Sequence, residues 1–186
     1  GRLLLLGHYE AFIDHLLGQP GNNDIGPLIE GRAAFLRKDF GTALQHWPRK
    51  LRFDRQALDA LRQGKSPSDA VMAIDGQQRE YLISALQSAL FNHVLEKRIT
   101  SSLLDRLVEG DLAWKHDNRS VFCVDQATAG LENRPEGRVL RLAVSPSGPM
   151  WGAAMTRPSG QVLQWETEAL DALGLTERDF ETCRHV

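Results

Sequence analysis

A short segment rich in arginine and lysine is the first place where this chain could bind a charged ligand. Residues 47–55 read Trp-Pro-Arg-Lys-Leu-Arg-Phe-Asp-Arg, and the candidate contacts are Trp47, Arg49, Lys50, Arg52 and Arg55. Guanidinium and ammonium groups neutralise nucleic-acid phosphates, and an indole can stack on an unpaired base. The segment is therefore the best candidate for a phosphate contact in this sequence.

A second interpretation of the segment stays open. A helix that begins near Pro48 could bury Leu51 and Phe53 while the cations point into water. In that case the charged side chains would only form a solvated surface.

Two further polar motifs lie later in the chain. They read Ser-Ala-Leu-Gln-Ser-Ala-Leu-Phe-Asn from Ser84 and Ser-Pro-Ser-Gly-Pro-Met-Trp-Gly from Ser145, and their candidate contact residues are Gln87, Asn92, Ser145 and Ser147. Buried amides usually pair with backbone groups, and loops of this composition usually turn the chain. The same side chains could instead contact RNA or rim a substrate cleft, so both roles are kept as alternatives.

Metal and hydrolase chemistry finds little support in the sequence. His8 and His15 could share one helical face, but no His-Glu-x-x-His pattern or third ligand accompanies them, so we predict no metal site. Cys123 and Cys183 show no metal-ligand spacing and are expected to be reduced thiols. The sequence has no Gly-x-x-x-x-Gly-Lys loop and no Gly-x-Ser-x-Gly elbow, which argues against an NTPase or a serine hydrolase.

The elements that would position these residues begin with a helical N-terminal part. Apolar residues from Leu5 to Leu17 recur at helical spacing, which predicts one helix that stops at Gly18 and Pro20. Ser66 supplies an N-cap and is followed by proline, which predicts another helix start. Further helices are predicted over residues 28–37, 41–47, 49–63 and, as a long core helix, 77–99.

After Gly110 the pattern becomes extended. Residues 112–115 and 121–124 flank a His-Asp-Asn-Arg turn and predict a hairpin, and a third strand is predicted over residues 139–144. A helix over residues 161–173 and a capping box at Thr176 follow. We therefore predict an α+β fold with a small, mostly antiparallel sheet packed on helices, divided into a helical lead-in (1–76) and an α+β core (77–186).

The charge distribution favours the first half of the chain for a nucleic-acid contact. The net charge of −2 is low for a phosphate-binding protein, but residues 1–100 hold 13 Lys and Arg against 11 Asp and Glu, whereas residues 101–186 hold 9 against 13. The longest leucine run, Leu3–Leu6, is too short to cross a bilayer, and no signal-peptide pattern follows it. We predict a cytoplasmic protein with no membrane partner.

The motifs that begin at Ser84 and Ser145, in this order and at this separation, resemble the inserted domain of the TruD family of tRNA pseudouridine synthases. The second motif departs from the family pattern in having Ser147 for threonine and Trp151 after Met150. The resemblance runs from about Gly1 to Phe180. It implies an enzyme that isomerises a uridine in the D-arm region of certain tRNAs and needs no metal or redox cofactor.

The resemblance also implies what these residues lack. The family's nucleophilic aspartate and its Asn-Tyr-Phe-Gly-type motif lie before the matched region, and the local analogue Gly110-Asp111 has no flanking lysines, so we expect Asp111 to be structural. The chain alone is therefore predicted to be inactive, with tRNA and the catalytic domain of the same parent polypeptide as partners. The alternative is a module that braces the catalytic domain and never touches RNA, which the near-neutral charge favours.

Overall fold

The computed structural model describes residues 1–21, 24 and 26–181, and these form two compact units. The first unit comprises Gly1–Ser84, and the second comprises the described residues from Ala85 onward. The first unit is helical, and the sheet lies in the second, so the predicted α+β class is confirmed. The division falls inside a long helix, whereas the sequence suggested a boundary just before that helix.

Short helices build the described part of the first unit: α1 (Arg2–Leu5), α2 (Tyr9–Ile13), α3 (Pro27–Leu36), α4 (Phe40–His46), α5 (Arg52–Arg62), α6 (Pro67–Ala73) and the start of α7 (Gly76–Thr100). The single first helix expected from the sequence is wrong. Gly7 adopts a φ of 68°, which separates α1 from α2, and the chain ends this region in a π-helical turn over Asp14–Gly18.

Local capping starts two of these helices. Asp39 accepts a hydrogen bond from the amide of Thr42 at 3.1 Å at the start of α4. The Ser66 hydroxyl accepts one from the amide of Asp69 at 3.1 Å, and Pro67 takes the first position of α6, as the sequence predicts. The helices then bury a common apolar core that includes Leu4, Leu17, Trp47, Leu58, Val71 and Ile74.

The second unit joins the rest of α7 to β1 (Leu112–Lys115), β2 (Val121–Cys123), α8 (Gln126–Glu132), β3 (Val144–Pro146), α9 (Gly160–Ala172) and α10 (Glu177–Glu181). The sheet order is β2-β1-β3, and both pairings are antiparallel. Ala113 lies opposite Phe122 on one side and Pro146 on the other. The hairpin is therefore confirmed, and so is the cap at Thr176, whose amide donates to Asp179 at 2.7 Å.

Two elements of the second unit differ from the sequence-based expectation. Residues 139–143 form turns instead of the third strand, because the amides of Leu142 and Ala143 donate to the carbonyls of Val139 and Arg138 and Leu142 adopts a φ of 55°. The strand β3 begins only at Val144. Helix α8 was not predicted; its start is capped by Asp125, which accepts from the amide of Thr128 at 2.7 Å.

Within the described ranges, every helix is too short or too polar to cross a membrane.

Candidate functional site

The arginine- and lysine-rich segment lies at the surface of the first unit. Arg49 and Lys50 occupy the turn between α4 and α5, and Arg52 is the first residue of α5. The amide of Leu51 donates to the carbonyl of Pro48 at 3.0 Å, which closes this turn. All three cationic residues are exposed, and we call Arg49, Lys50 and Arg52 the cationic surface.

The other two residues predicted in this segment have structural partners. Arg55 donates through Nη1 to the carbonyl oxygens of Leu44 and Trp47, each at 2.7 Å. Trp47 is only 2% exposed, and its indole Nε1 donates a hydrogen bond to Asp54 Oδ2 at 3.1 Å. Its ring therefore has no face open to an unpaired base, which corrects the stacking role considered for Trp47. Burial raises the pKa of the Asp54 carboxyl, and the hydrogen bond from Trp47 opposes that rise.

The cationic surface borders a shallow depression of about 430 Å³. Arg49, Arg52 and Arg55 line it together with Asp59. Asp59 accepts a hydrogen bond from Arg62 at 2.7 Å, and this bond lowers the pKa of the Asp59 carboxyl. The charge of Asp59 is thus already compensated by its own partner, so the arginines give the depression a positive character.

In the second unit, the structure brings the two polar motifs together. Gln87 on α7 donates through Nε2 to the carbonyl oxygen of Trp151 at 2.5 Å. Gly148 lies against the ring of Phe91, so close that a Cβ at this position would collide with the ring. Any other residue here would force the Phe91 ring to shift, so glycine allows the loop to approach α7 this closely. Gln87 satisfies a buried backbone group, which is the structural alternative considered for it.

The same two motifs line a cavity of about 190 Å³. Ser145 and Ser147 lie in its wall, opposite the apolar side chains of Phe91 and Val94 on α7. The Ser145 hydroxyl is also 3.1 Å from Nε2 of His116. Asn92 is exposed on α7 and is not part of this wall. The four residues predicted here thus do not converge on one site, and their contact with RNA stays a prediction.

A buried polar cluster, formed by Arg98, Asp111 and Glu166, was not recognised as a unit from the sequence. Arg98 is ion-paired with Asp111, which is 0% exposed and also accepts from the amide of Val108 at 2.8 Å. These contacts agree with the structural role that the sequence predicts for Asp111. Burial raises the pKa of its carboxyl, and the charge of Arg98 opposes that rise.

Glu166 is the least compensated member of this cluster. It is 3% exposed, and among the described residues its Oε2 has no hydrogen-bond partner. Burial raises the pKa of its carboxyl to about 7, against the opposing charge of Arg157 and with a further rise from Asp111. The sequence held one signal for the cluster: Arg98 continues the four-residue spacing of the buried Leu86, Leu90 and Val94.

Metal binding finds no support in the described part of the chain. There, no group of three His, Cys, Asp or Glu side chains is arranged to hold an ion. His8 and His15 are both exposed, and so is the free Cys123. Cys183 lies outside the described residues.

The comparison with known proteins agrees with the motifs. A family model described as tRNA pseudouridine synthase D (TruD) matches residues 1–186. A tRNA pseudouridine synthase D from Geobacter sulfurreducens is 36% identical over 183 residues, covering 97% of this chain and 43% of the relative. The corresponding protein of Geobacter metallireducens is 33% identical over 184 residues, covering 97% and 43%. The chain therefore spans less than half the length of these relatives.

A solved structure supports the fold. A crystal structure assigned to tRNA pseudouridine synthase D from Methanosarcina mazei superposes with a TM-score of 0.84 and 19% identity. The match covers 98% of this chain and 43% of that one. At 19% identity this structural similarity supports the fold alone.

Proposed function

Because the chain belongs to the TruD family of tRNA pseudouridine synthases, we propose that it is the RNA-recognition region of an enzyme that isomerises a uridine in tRNA. The observation that supports RNA recognition is the cationic surface of the first unit. Its three side chains are exposed, whereas Arg55 beside them is bound to carbonyl oxygens. Among the described residues these three cations have no hydrogen-bond or ion-pair partner, and they lie at the edge of a positive depression, which suits them to phosphate oxygens.

The catalytic step is assigned to the remainder of the enzyme. The chain corresponds to 43% of its Geobacter sulfurreducens relative, and the lysine-flanked aspartate motif of the family is not among its residues. We therefore expect residues 1–186 alone to form no pseudouridine. In the whole enzyme this region would bind tRNA while a catalytic domain of the same polypeptide carries out the isomerisation. The enzyme would act in the cytoplasm, where tRNA is used.

A titration of tRNA with the 186-residue chain tests the proposal. Binding should weaken as salt rises, because each phosphate contact releases counterions. Reversing all three charges, as Arg49→Glu, Lys50→Glu and Arg52→Glu, should abolish most of the binding at low salt. It should also reduce the slope of log affinity against log salt by roughly two to three, since each contact contributes about 0.7 to 0.9.

A second triple variant controls for net charge. Lys65, Arg106 and Arg134 are also exposed, and replacing them by glutamate changes the total charge by the same amount. This variant should bind tRNA nearly as the unchanged chain does. An equal loss of tRNA affinity in both triple variants would show that only net charge matters. If the unchanged chain binds no tRNA, the proposal is refuted.

A second candidate function is a module that only braces the catalytic domain. It is favoured by the internal satisfaction of the two motifs, in which Gln87 pairs with the Trp151 carbonyl and Gly148 packs on Phe91. The same titration separates the two functions, because a bracing module would not bind tRNA at any salt concentration.

A further inference from the structure

A second depression lies next to the cationic surface on the first unit. Its volume is about 370 Å³, and it shares Arg52 and Gln56 with the depression that the arginines line. Its distinctive feature is two exposed aromatic residues, Phe53 on α5 and Tyr81 on α7. Phe53 is 38% exposed and Tyr81 is 66% exposed, so both rings present surface to a ligand.

Hydrogen bonds hold the two helices that border this depression. Gln56 on α5 accepts a hydrogen bond from the amide of Asp75 at 3.1 Å, and Asp75 in turn accepts from the amide of Gln77 at 2.9 Å. Gln77 and Gln78 add side-chain amides to the lining. The depression thus offers aromatic faces together with hydrogen-bond donors and acceptors, on a backbone that is already fixed.

Both depressions include a carboxylate, but that of Asp59 in the first is ion-paired with an arginine. Asp75 in the second would repel a phosphate, yet its oxygens can accept hydrogen bonds from the amino group of a base edge. The neighbouring depression is lined by Arg49, Arg52 and Arg55, which suit phosphate oxygens. Arg52 lies between them and belongs to both linings.

We propose that the second depression holds an unpaired base of the bound RNA, stacked on Tyr81 and Phe53, while the cationic surface holds the phosphates that flank this base. The inference rests on the proposed function, because it assumes that the cationic surface binds RNA. Stacking on aromatic rings accepts any base and requires that the base be outside a duplex. This region would therefore prefer single-stranded or looped RNA to a continuous duplex.

Fluorescence of 2-aminopurine in a single-stranded RNA tests the inference, because stacking on a ring quenches this base. The 186-residue chain should quench it and bind it more tightly than a duplex of the same sequence. Tyr81→Ala should weaken binding of the single strand by between about 5-fold and 150-fold, the range that stacking of one base contributes. Tyr81→Phe keeps the ring and should retain both the quenching and the affinity.

Two further variants make the result specific. Phe53→Leu removes the second ring but keeps an apolar side chain. It should weaken binding of the single strand and leave the affinity for the duplex unchanged. Leu36→Ala removes an apolar side chain that is 67% exposed on α3 of the same unit, and it should change neither affinity.

The outcomes separate the two proposals. Suppose that the unchanged chain binds tRNA with the expected salt dependence, but that Tyr81→Ala and the unchanged chain bind the single strand with equal affinity. The base site is then refuted, and the proposal of RNA recognition stands. If the unchanged chain binds neither tRNA nor the single strand, both proposals fall.

Discussion

Replacing Glu166 by glutamine should change how the stability of the second unit depends on pH. Glu166 is buried, and burial raises the pKa of its carboxyl from 4.5 to about 7. In the unfolded chain the carboxyl titrates near the ordinary value, so between these two pH values the folded protein holds a proton that the unfolded chain has released. The free energy of unfolding contributed by this group is therefore highest below the window and falls as pH rises through it.

The size of the effect follows from the two pKa values. The interval between 4.5 and about 7 corresponds to roughly 3 kcal/mol of unfolding free energy. Glutamine resembles the protonated carboxyl in shape and stays neutral. Glu166→Gln therefore avoids the loss of stability that ionisation of Glu166 causes. Its stability relative to the unchanged chain should rise by roughly 2 to 3 kcal/mol between about pH 5 and about pH 8.

Urea unfolding at these two pH values, followed by tryptophan fluorescence, measures the difference. Trp151 and Trp165 lie in the same unit as Glu166 and report on its unfolding. Asp111 raises the pKa of Glu166, so the measured difference includes the interaction between these two carboxyls.

A matched control lies on the same helix. The carboxyl of Glu168 is partly exposed, and a hydrogen bond from Lys97 lowers its pKa, so Glu168→Gln should gain nothing at the higher pH. The reasoning about burial is refuted if Glu166→Gln differs from the unchanged chain by the same free energy at both pH values.

Two further perturbations address the packing of the second unit. Asp111→Asn should lower the free energy of unfolding by about 3 to 5 kcal/mol, because it leaves the buried charge of Arg98 uncompensated; urea unfolding measures this, and a change as small as that of Glu168→Gln would contradict it. Gly148→Ala should lower it by about 1 to 3 kcal/mol, because the added methyl collides with the Phe91 ring. Adding Phe91→Leu should recover part of that loss in a thermal melt, and an undiminished loss in the double variant would show that the ring is not the cause.

Several elements could be predicted because their cause is local. Helix α6 starts where Ser66 caps it and Pro67 follows, and α7 follows the apolar spacing of Leu86, Leu90 and Val94. The hairpin of β1 and β2 follows from the extended pattern on either side of a short turn. In each case the residues that specify the element lie within a few positions of it.

The errors share a different cause. The apolar residues over 139–144 favour a strand, but the amide of Ala143 donates to the carbonyl of Arg138 and Leu142 adopts a left-handed φ, so residues 139–143 turn instead. The predicted first helix is interrupted at Gly7, whose left-handed backbone cannot be read from the apolar spacing. Trp47 reads as an exposed aromatic among cations, yet contacts with Asp54 and the surrounding helices bury it.

The sequence by itself determined the family, through the two motifs, and the position of the cations that make up the cationic surface. Only the tertiary structure decided which of these side chains are available to a ligand. It showed that Arg55 and Trp47 are bound to partners within the first unit, and that Glu166 is buried in the second within range of the charges of Arg98 and Asp111. The physical reason is that exposure and pKa depend on neighbours in other helices, strands and loops, whereas capping, periodicity and motifs depend on residues within the same element.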